Sequence, residues 1–118
     1  MALKQILIID DDKEFCEELM ESLRGEGYAV ECVQDAVKGE DRIRSGSHDA
    51  VLLDCKMPVL TGFDILKRLK ADSIRKHIFM LTGKPYTQQV LEEEDLSDMI
   101  SGIIAKPVDF DKLLENIR

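Results

Sequence analysis

Asp10, Asp11 and Asp12 follow directly on the apolar run Gln5-Ile6-Leu7-Ile8-Ile9, and Asp54 follows Ala50-Val51-Leu52-Leu53. Thr82 closes His77-Ile78-Phe79-Met80-Leu81, and Lys106-Pro107 closes Gly102-Ile103-Ile104-Ala105. Carboxylates from Asp10, Asp11 and Asp54 gathered in one place cannot all stay ionised without a counter-charge. A hard divalent cation bound through oxygen meets that need, and Mg²⁺ suits a few carboxylates supplemented by water and phosphate. Asp54 is then a candidate nucleophile, because a carboxylate can attack a phosphoryl donor and form an acyl phosphate. The transferred group is anionic, so cations and donors must meet it: the metal, Lys106, and the Thr82 hydroxyl with nearby amides. Each residue alone has an ordinary reading. Aspartates cap helices, which is the preferred role for Asp12; Thr82 is also a plain strand-end residue and Lys106 a plain surface lysine. Capping does not account for a further aspartate at the next strand end.

These residues meet only if the runs before them lie side by side. Short unbroken apolar runs separated by helix-like stretches read as parallel strands buried on both faces. Strand and helix alternate along the chain, which points to a layered α/β fold, and in an open α/β sheet sites form beyond the carboxyl ends of the strands. Tyr28 to Val33 alternates more and carries Glu31, so an edge strand is expected there. The first helix shows Phe15, Cys16, Leu19, Met20 and Leu23 on one face and stops at Gly25-Glu26-Gly27. A weaker helix is expected over residues 36–45. The third helix presents Phe63, Leu66 and Leu69, with Gly62 at its entrance, and the last presents Phe110, Leu113, Leu114 and Ile117 behind a capping Asp109. The fourth, starting near Pro85, scatters Val90, Leu91 and Leu96 among glutamates and is expected to be the least firmly docked. Pro58 holds the loop after Asp54 extended and Gly62 permits a tight return; a cis peptide at Lys106-Pro107 would aim the lysine over the sheet edge. Simple strand termination is the plain alternative for both prolines.

The bulk composition narrows the classes. A chain of 118 residues, 44% apolar and 34% charged, reads as one folded domain with a real core. A net charge of −8 argues against direct binding of DNA or RNA by this domain. There is no apolar stretch long enough to span a bilayer, and Met1-Ala2-Leu3-Lys4 does not open a secretory signal, so a cytoplasmic setting is expected. Cys16, Cys32 and Cys55 lack metal-ligand spacing and read as reduced thiols within helix or strand segments. Glu92-Glu93-Glu94-Asp95 reads as a solvated helix face, with a docking patch for a basic partner as the alternative.

Ile8-Ile9-Asp10-Asp11-Asp12, Leu53-Asp54-Cys55-Lys56-Met57-Pro58 with Gly62, Leu81-Thr82-Gly83 and Ala105-Lys106-Pro107 together closely resemble the receiver domain of bacterial response regulators. The resemblance runs over the whole chain, residues 1–118. It implies a flavodoxin-like, doubly wound, five-stranded parallel sheet of order 2-1-3-4-5 with five helices. It further implies that Asp54 accepts phosphate from a histidine kinase or histidine phosphotransfer protein, in two-component phosphorelay signalling rather than as an ordinary enzyme. Asp11, Asp54 and the backbone carbonyl of Lys56 would be direct Mg²⁺ ligands, with Asp10 holding metal-bound water. Thr82 and Lys106 would meet phosphoryl oxygens, and movement of Thr82 would switch the face formed by the fourth helix, fifth strand and fifth helix. An output domain, or a separate downstream protein, would read that face, and the chain is expected either to stand alone or to be cut from a longer regulator.

The chain departs from the family pattern in its readout half. Ile103 occupies the position, three before Lys106, where the family usually has an aromatic residue. Met99 stands where glycine is common, and the stretch from Thr82 to Lys106 is slightly long, so an atypical fourth helix is expected. Lys56 and Lys84 flank the pocket of the family; they either cover the phosphoryl group against water or are ordinary loop lysines. Other functions fit less well. A haloacid-dehalogenase-type phosphatase needs a second acid two residues after the nucleophile, where this chain has Lys56. An unphosphorylated interaction module would show loss of Asp54, Lys106 or the acidic pair. A flavin carrier wants small and hydroxyl residues after the first strand, where Asp10-Asp11-Asp12-Lys13 stands.

Overall fold

The computed structural model of the protein describes residues 4–118. Strands and helices alternate as β1 (Gln5–Ile9), α1 (Lys13–Gly25), β2 (Ala29–Val33), α2 (Ala36–Ser45), β3 (Ala50–Asp54), α3 (Gly62–Ala71), β4 (Ile78–Thr82), α4 (Thr87–Glu93), β5 (Gly102–Ala105) and α5 (Phe110–Ile117), with a 3₁₀ turn at Ser97–Met99. The strands form one parallel sheet in the order β2-β1-β3-β4-β5, the flavodoxin-like arrangement. Alternation along each strand sorts side chains to two faces. Leu7, Ile9, Val51, Leu53, Ile78 and Met80 pack beneath α2, α3 and α4, while Ile6, Ile8, Leu52, Phe79 and Leu81 pack beneath α1 and α5.

The register sets the site. Ile9 pairs with Leu53, Asp54 with Leu81, and Thr82 with Ala105. Asp10 therefore lies level with Asp54, Thr82 one residue beyond it, and Lys106 one residue beyond Thr82. All leave the sheet at one edge.

β2 lies at a sheet edge and is only half-buried, as its alternation predicts. The expectation of burial on both faces fails for β5. This strand is the opposite edge, only Ile104 is buried, and Ile103 is partly covered. α4 is short, with no side-chain cap, as expected of its thin patterning. Its anchoring is better than the sequence implies, because Leu91, Leu96 and Met99 are fully enclosed in the core beneath it. Burial of Leu91 and Leu96 stabilises this corner by about 1.5–3 kcal/mol per side chain. The acidic run beside them is exposed, with Gln88 bonded to Glu92, Gln89 to Glu93, and Lys67 paired with Glu94: a solvated face held by local partners.

Candidate functional site

β1 delivers Asp10 fully buried, because its backbone N–H continues the ladder to the Val33 carbonyl at 3.1 Å. Asp11 is exposed beside it. Asp12 turns away: its Oδ1 accepts from the Phe15 N–H at 3.1 Å and caps α1. The preferred capping role thus holds for Asp12, and the cluster forms from the other acids. Carboxylate oxygens of Asp10, Asp11 and Asp54 all lie within 4.8 Å of one another.

Asp54 ends β3 and is 6% exposed. Its position depends on how the chain leaves. The loop bends at Val59, whose φ of 73° is strained for a β-branched residue, and Val59 itself is 89% exposed. The chain then returns so closely that a Cβ on Gly62 would lie 2.5 Å from the Asp54 carbonyl oxygen and 2.9 Å from Cys55 Cα. Only glycine fits there. Thr61 caps α3 with a reciprocal pair of bonds to Asp64, fixing the return.

Lys106 follows β5, and its backbone N–H donates to the Thr82 carbonyl at 2.8 Å. The Lys106-Pro107 peptide is cis, the first of the two readings open for this proline. The ammonium donates to Asp10 Oδ2 at 2.5 Å, lies 3.5 Å from Asp54 Oδ1, and sits 4.6 Å from the centre of the Phe15 ring. Burial, the largest single influence, works against its charge, but the Asp10 and Asp54 carboxylates together outweigh it, and the Lys106 pKa is raised. One ammonium does not balance the acids. Burial first, and then the neighbouring Asp10 charge, push the Asp54 carboxyl up to about 6, against the partial relief from Lys106. The Lys56 N–H adds a weak bond to Asp54 Oδ1 at 3.4 Å. The three carboxylates supply the oxygen donors that could hold a hard divalent cation, whose charge would offset the repulsion among them.

Thr82 ends β4 and is 5% exposed. Its hydroxyl oxygen accepts from the Lys84 N–H at 3.0 Å and the Cys55 S–H at 3.2 Å, and lies 2.7 Å from the hydroxyl of Thr87. Lys56 and Lys84 are both exposed loop residues. Asp10, Asp11, Asp54, Thr82 and Lys106 are therefore brought to one edge. Phe15, Cys55 and Thr87 were not anticipated there. Phe15 read simply as part of the α1 core face, and Cys55 as an ordinary thiol. Thr87 carries a signal in hindsight, since a hydroxyl at i−4 from Leu91 places it on the buried side of α4.

Comparison with known proteins agrees with this geometry. The family model described as response regulator receiver domain matches residues 6–118. Transcriptional regulatory protein DltR of Streptococcus agalactiae is 32% identical over 114 residues, covering 97% of this chain and 50% of DltR. Response regulator MprA of Mycobacterium sp. (strain KMS) is 32% identical over 121 residues, covering 97% and 49%. The chain spans about half the length of these curated relatives. Among solved structures, a CheY-like receiver domain protein from Methanospirillum hungatei superposes with a TM-score of 0.83 at 31% identity, covering 98% of this chain and 91% of the other. Response regulator TrrA of Thermotoga maritima, solved in complex with Mg²⁺-BeF, gives 0.82 at 26% identity, covering 98% and 96%.

Proposed function

Because this chain belongs to the response regulator receiver domain family of two-component signalling, we propose that Asp54 is its phosphoacceptor and that the acidic edge works with Mg²⁺. The observation that carries this is the buried Asp54 carboxylate, flanked within 4.8 Å by Asp10 and Asp11 and faced at 3.5 Å by the Lys106 ammonium. An Asp54 oxygen attacks the phosphorus of a phosphohistidine on a histidine kinase or phosphotransfer protein. The phosphorus–nitrogen bond breaks, the imidazole leaves, and an acyl phosphate remains. Hydrolysis by water later restores the carboxylate. Asp11, Asp54 and the Lys56 carbonyl would hold Mg²⁺ directly, with Asp10 acting through water; when bound, it supplies positive charge to the phosphoryl oxygens and keeps Asp54 ionised. Lys106, already held charged by Asp10, meets one phosphoryl oxygen, and the Thr82 hydroxyl donates to another.

The α4–β5–α5 face would then carry the signal. A similar regulator such as DltR is about twice this length, which supports an output domain as the reader of that face; a separate downstream protein would be the alternative reader, and either would act in a cytoplasmic pathway. Among the described residues no helix is long and apolar enough to cross a membrane. Incubation with radiolabelled acetyl phosphate tests the reading. Label is expected on the wild-type chain, labile to alkali and to hydroxylamine, and absent from Asp54→Asn and from protein stripped of divalent cations. Undiminished labelling in either of those two cases would refute it.

A further inference from the structure

The hydrogen bonds of Thr82 leave it no proton for the site. Its Oγ1 accepts from the Lys84 N–H and the Cys55 S–H, which occupies both lone pairs. Its remaining contact, at 2.7 Å, is Oγ1 of Thr87, and that atom lies 3.1 Å from the Lys84 carbonyl. A carbonyl can only accept, so the single hydroxyl proton of Thr87 goes to Lys84. The bond between the two hydroxyls must therefore run from Thr82 to Thr87. The result is a directed chain from Cys55 through Thr82 and Thr87 to the Lys84 carbonyl. Thr82 is 5% and Thr87 2% exposed, so solvent does not stand in for either partner.

A phosphoryl group on Asp54 presents only acceptors. Thr82 can bond it only by donating the proton that Thr87 now holds, so the two bonds exclude each other. Thr87 is the first residue of α4, one turn from the fully buried Leu91, and the change is delivered directly to that helix. Among the described residues no aromatic side chain lines the pocket of about 300 Å³ beside Thr82 and Thr87, where Ile103 stands. We propose that Thr87 is a positioning residue of the switch, holding the Thr82 hydroxyl proton away from Asp54 until a phosphoryl oxygen captures it and frees the first turn of α4. This rests on the reading of Asp54 as the phosphoacceptor.

Beryllofluoride with Mg²⁺, a mimic of the phosphoryl group, provides the assay. Thr87→Val keeps the shape and removes the acceptor, which leaves the Thr82 proton without a partner in the unmodified state only. Beryllofluoride should bind this variant about two- to tenfold more tightly than wild type, the worth of one net hydrogen bond. Thr87→Ser, which restores the hydroxyl, should bind as wild type does. A purely structural threonine would affect free and bound forms alike, so equal or weaker binding by Thr87→Val overturns the proposal. A second measurement needs no variant: in wild-type protein the amide resonances of Thr87 and Gln88 should shift with that of Thr82 during the titration. If Thr82 moves while Thr87 and Gln88 stay in place, the proposal fails. Should wild type bind no more beryllofluoride than Asp54→Asn, the fault lies instead with the reading of Asp54 itself.

Discussion

Replacing Asp54 by asparagine should make the metal-free protein more stable at pH 8, although it removes the central residue of the site. The raised Asp54 pKa of about 6, against an ordinary 3.8, arises first from burial and then from the Asp10 charge. A carboxyl whose folded pKa is raised favours the native state at low pH and penalises it as pH rises through the folded value. The full difference corresponds to about 3 kcal/mol once both native and unfolded forms are ionised. Asp11 opens one side of the cluster to solvent, and screening there reduces the expected penalty to about 1–2 kcal/mol. Asparagine keeps the shape without the charge, so it should recover that amount in urea unfolding at pH 8. The advantage should decline as pH falls from about 6 toward 3.8, the window in which native and unfolded Asp54 protonate in turn. Excess Mg²⁺ should reverse the order, since a cation bound only by the native state stabilises it by mass action and the variant has lost a ligand. A variant no more stable than wild type at pH 8, or a difference that does not change with pH, would refute the claim that uncompensated negative charge dominates this edge.

Asp12→Ala should lower stability by about 1 kcal/mol through loss of the α1 cap while leaving the rate of labelling by acetyl phosphate unchanged; a large loss of labelling would show that Asp12 does more than cap α1. Gly62→Ala must displace backbone, since its Cβ would meet the Asp54 carbonyl oxygen at 2.5 Å. It should therefore cost about 1–3 kcal/mol in urea unfolding and also slow labelling, and unchanged labelling would show that Gly62 does not position Asp54. Exchanging both Lys56 and Lys84 for alanine should shorten the lifetime of the acyl phosphate if these exposed cations hinder an attacking water; an unchanged decay rate removes that role.

The chemical half of the site was legible because of how parallel sheets are built. A residue that ends an apolar run must lie at the carboxyl edge, and neighbouring strands bring such residues together whatever the loops do. Asp10, Asp54, Thr82 and Lys106 needed no further information. Asp12 could be separated from them by its cap spacing alone. What remained hidden depends on contacts between distant segments. Strand alternation could not reveal that β5 is half-covered, since that is decided by how far α4 extends over Ile103. Leu91 and Leu96 looked too sparse to anchor a helix, yet depth of burial, rather than number, secures that corner.

Ile103 shows the limit most directly. A sequence can reveal that a side chain used for readout is missing, because position alone identifies the gap. It cannot reveal what takes over, because the replacement need not occupy the same position. Here the neighbour of Thr82 comes from five residues further along the chain, and the two hydroxyls meet at 2.7 Å only because the intervening turn folds Thr87 back over the end of β4. Direction in that contact is inferred by counting protons, with the Lys84 carbonyl accepting from Thr87. An aromatic switch would transmit the state of the site by filling or vacating space beside β5. In the proposed switch two hydroxyls would transmit it through a bond that is either made or broken, at the first residue of α4.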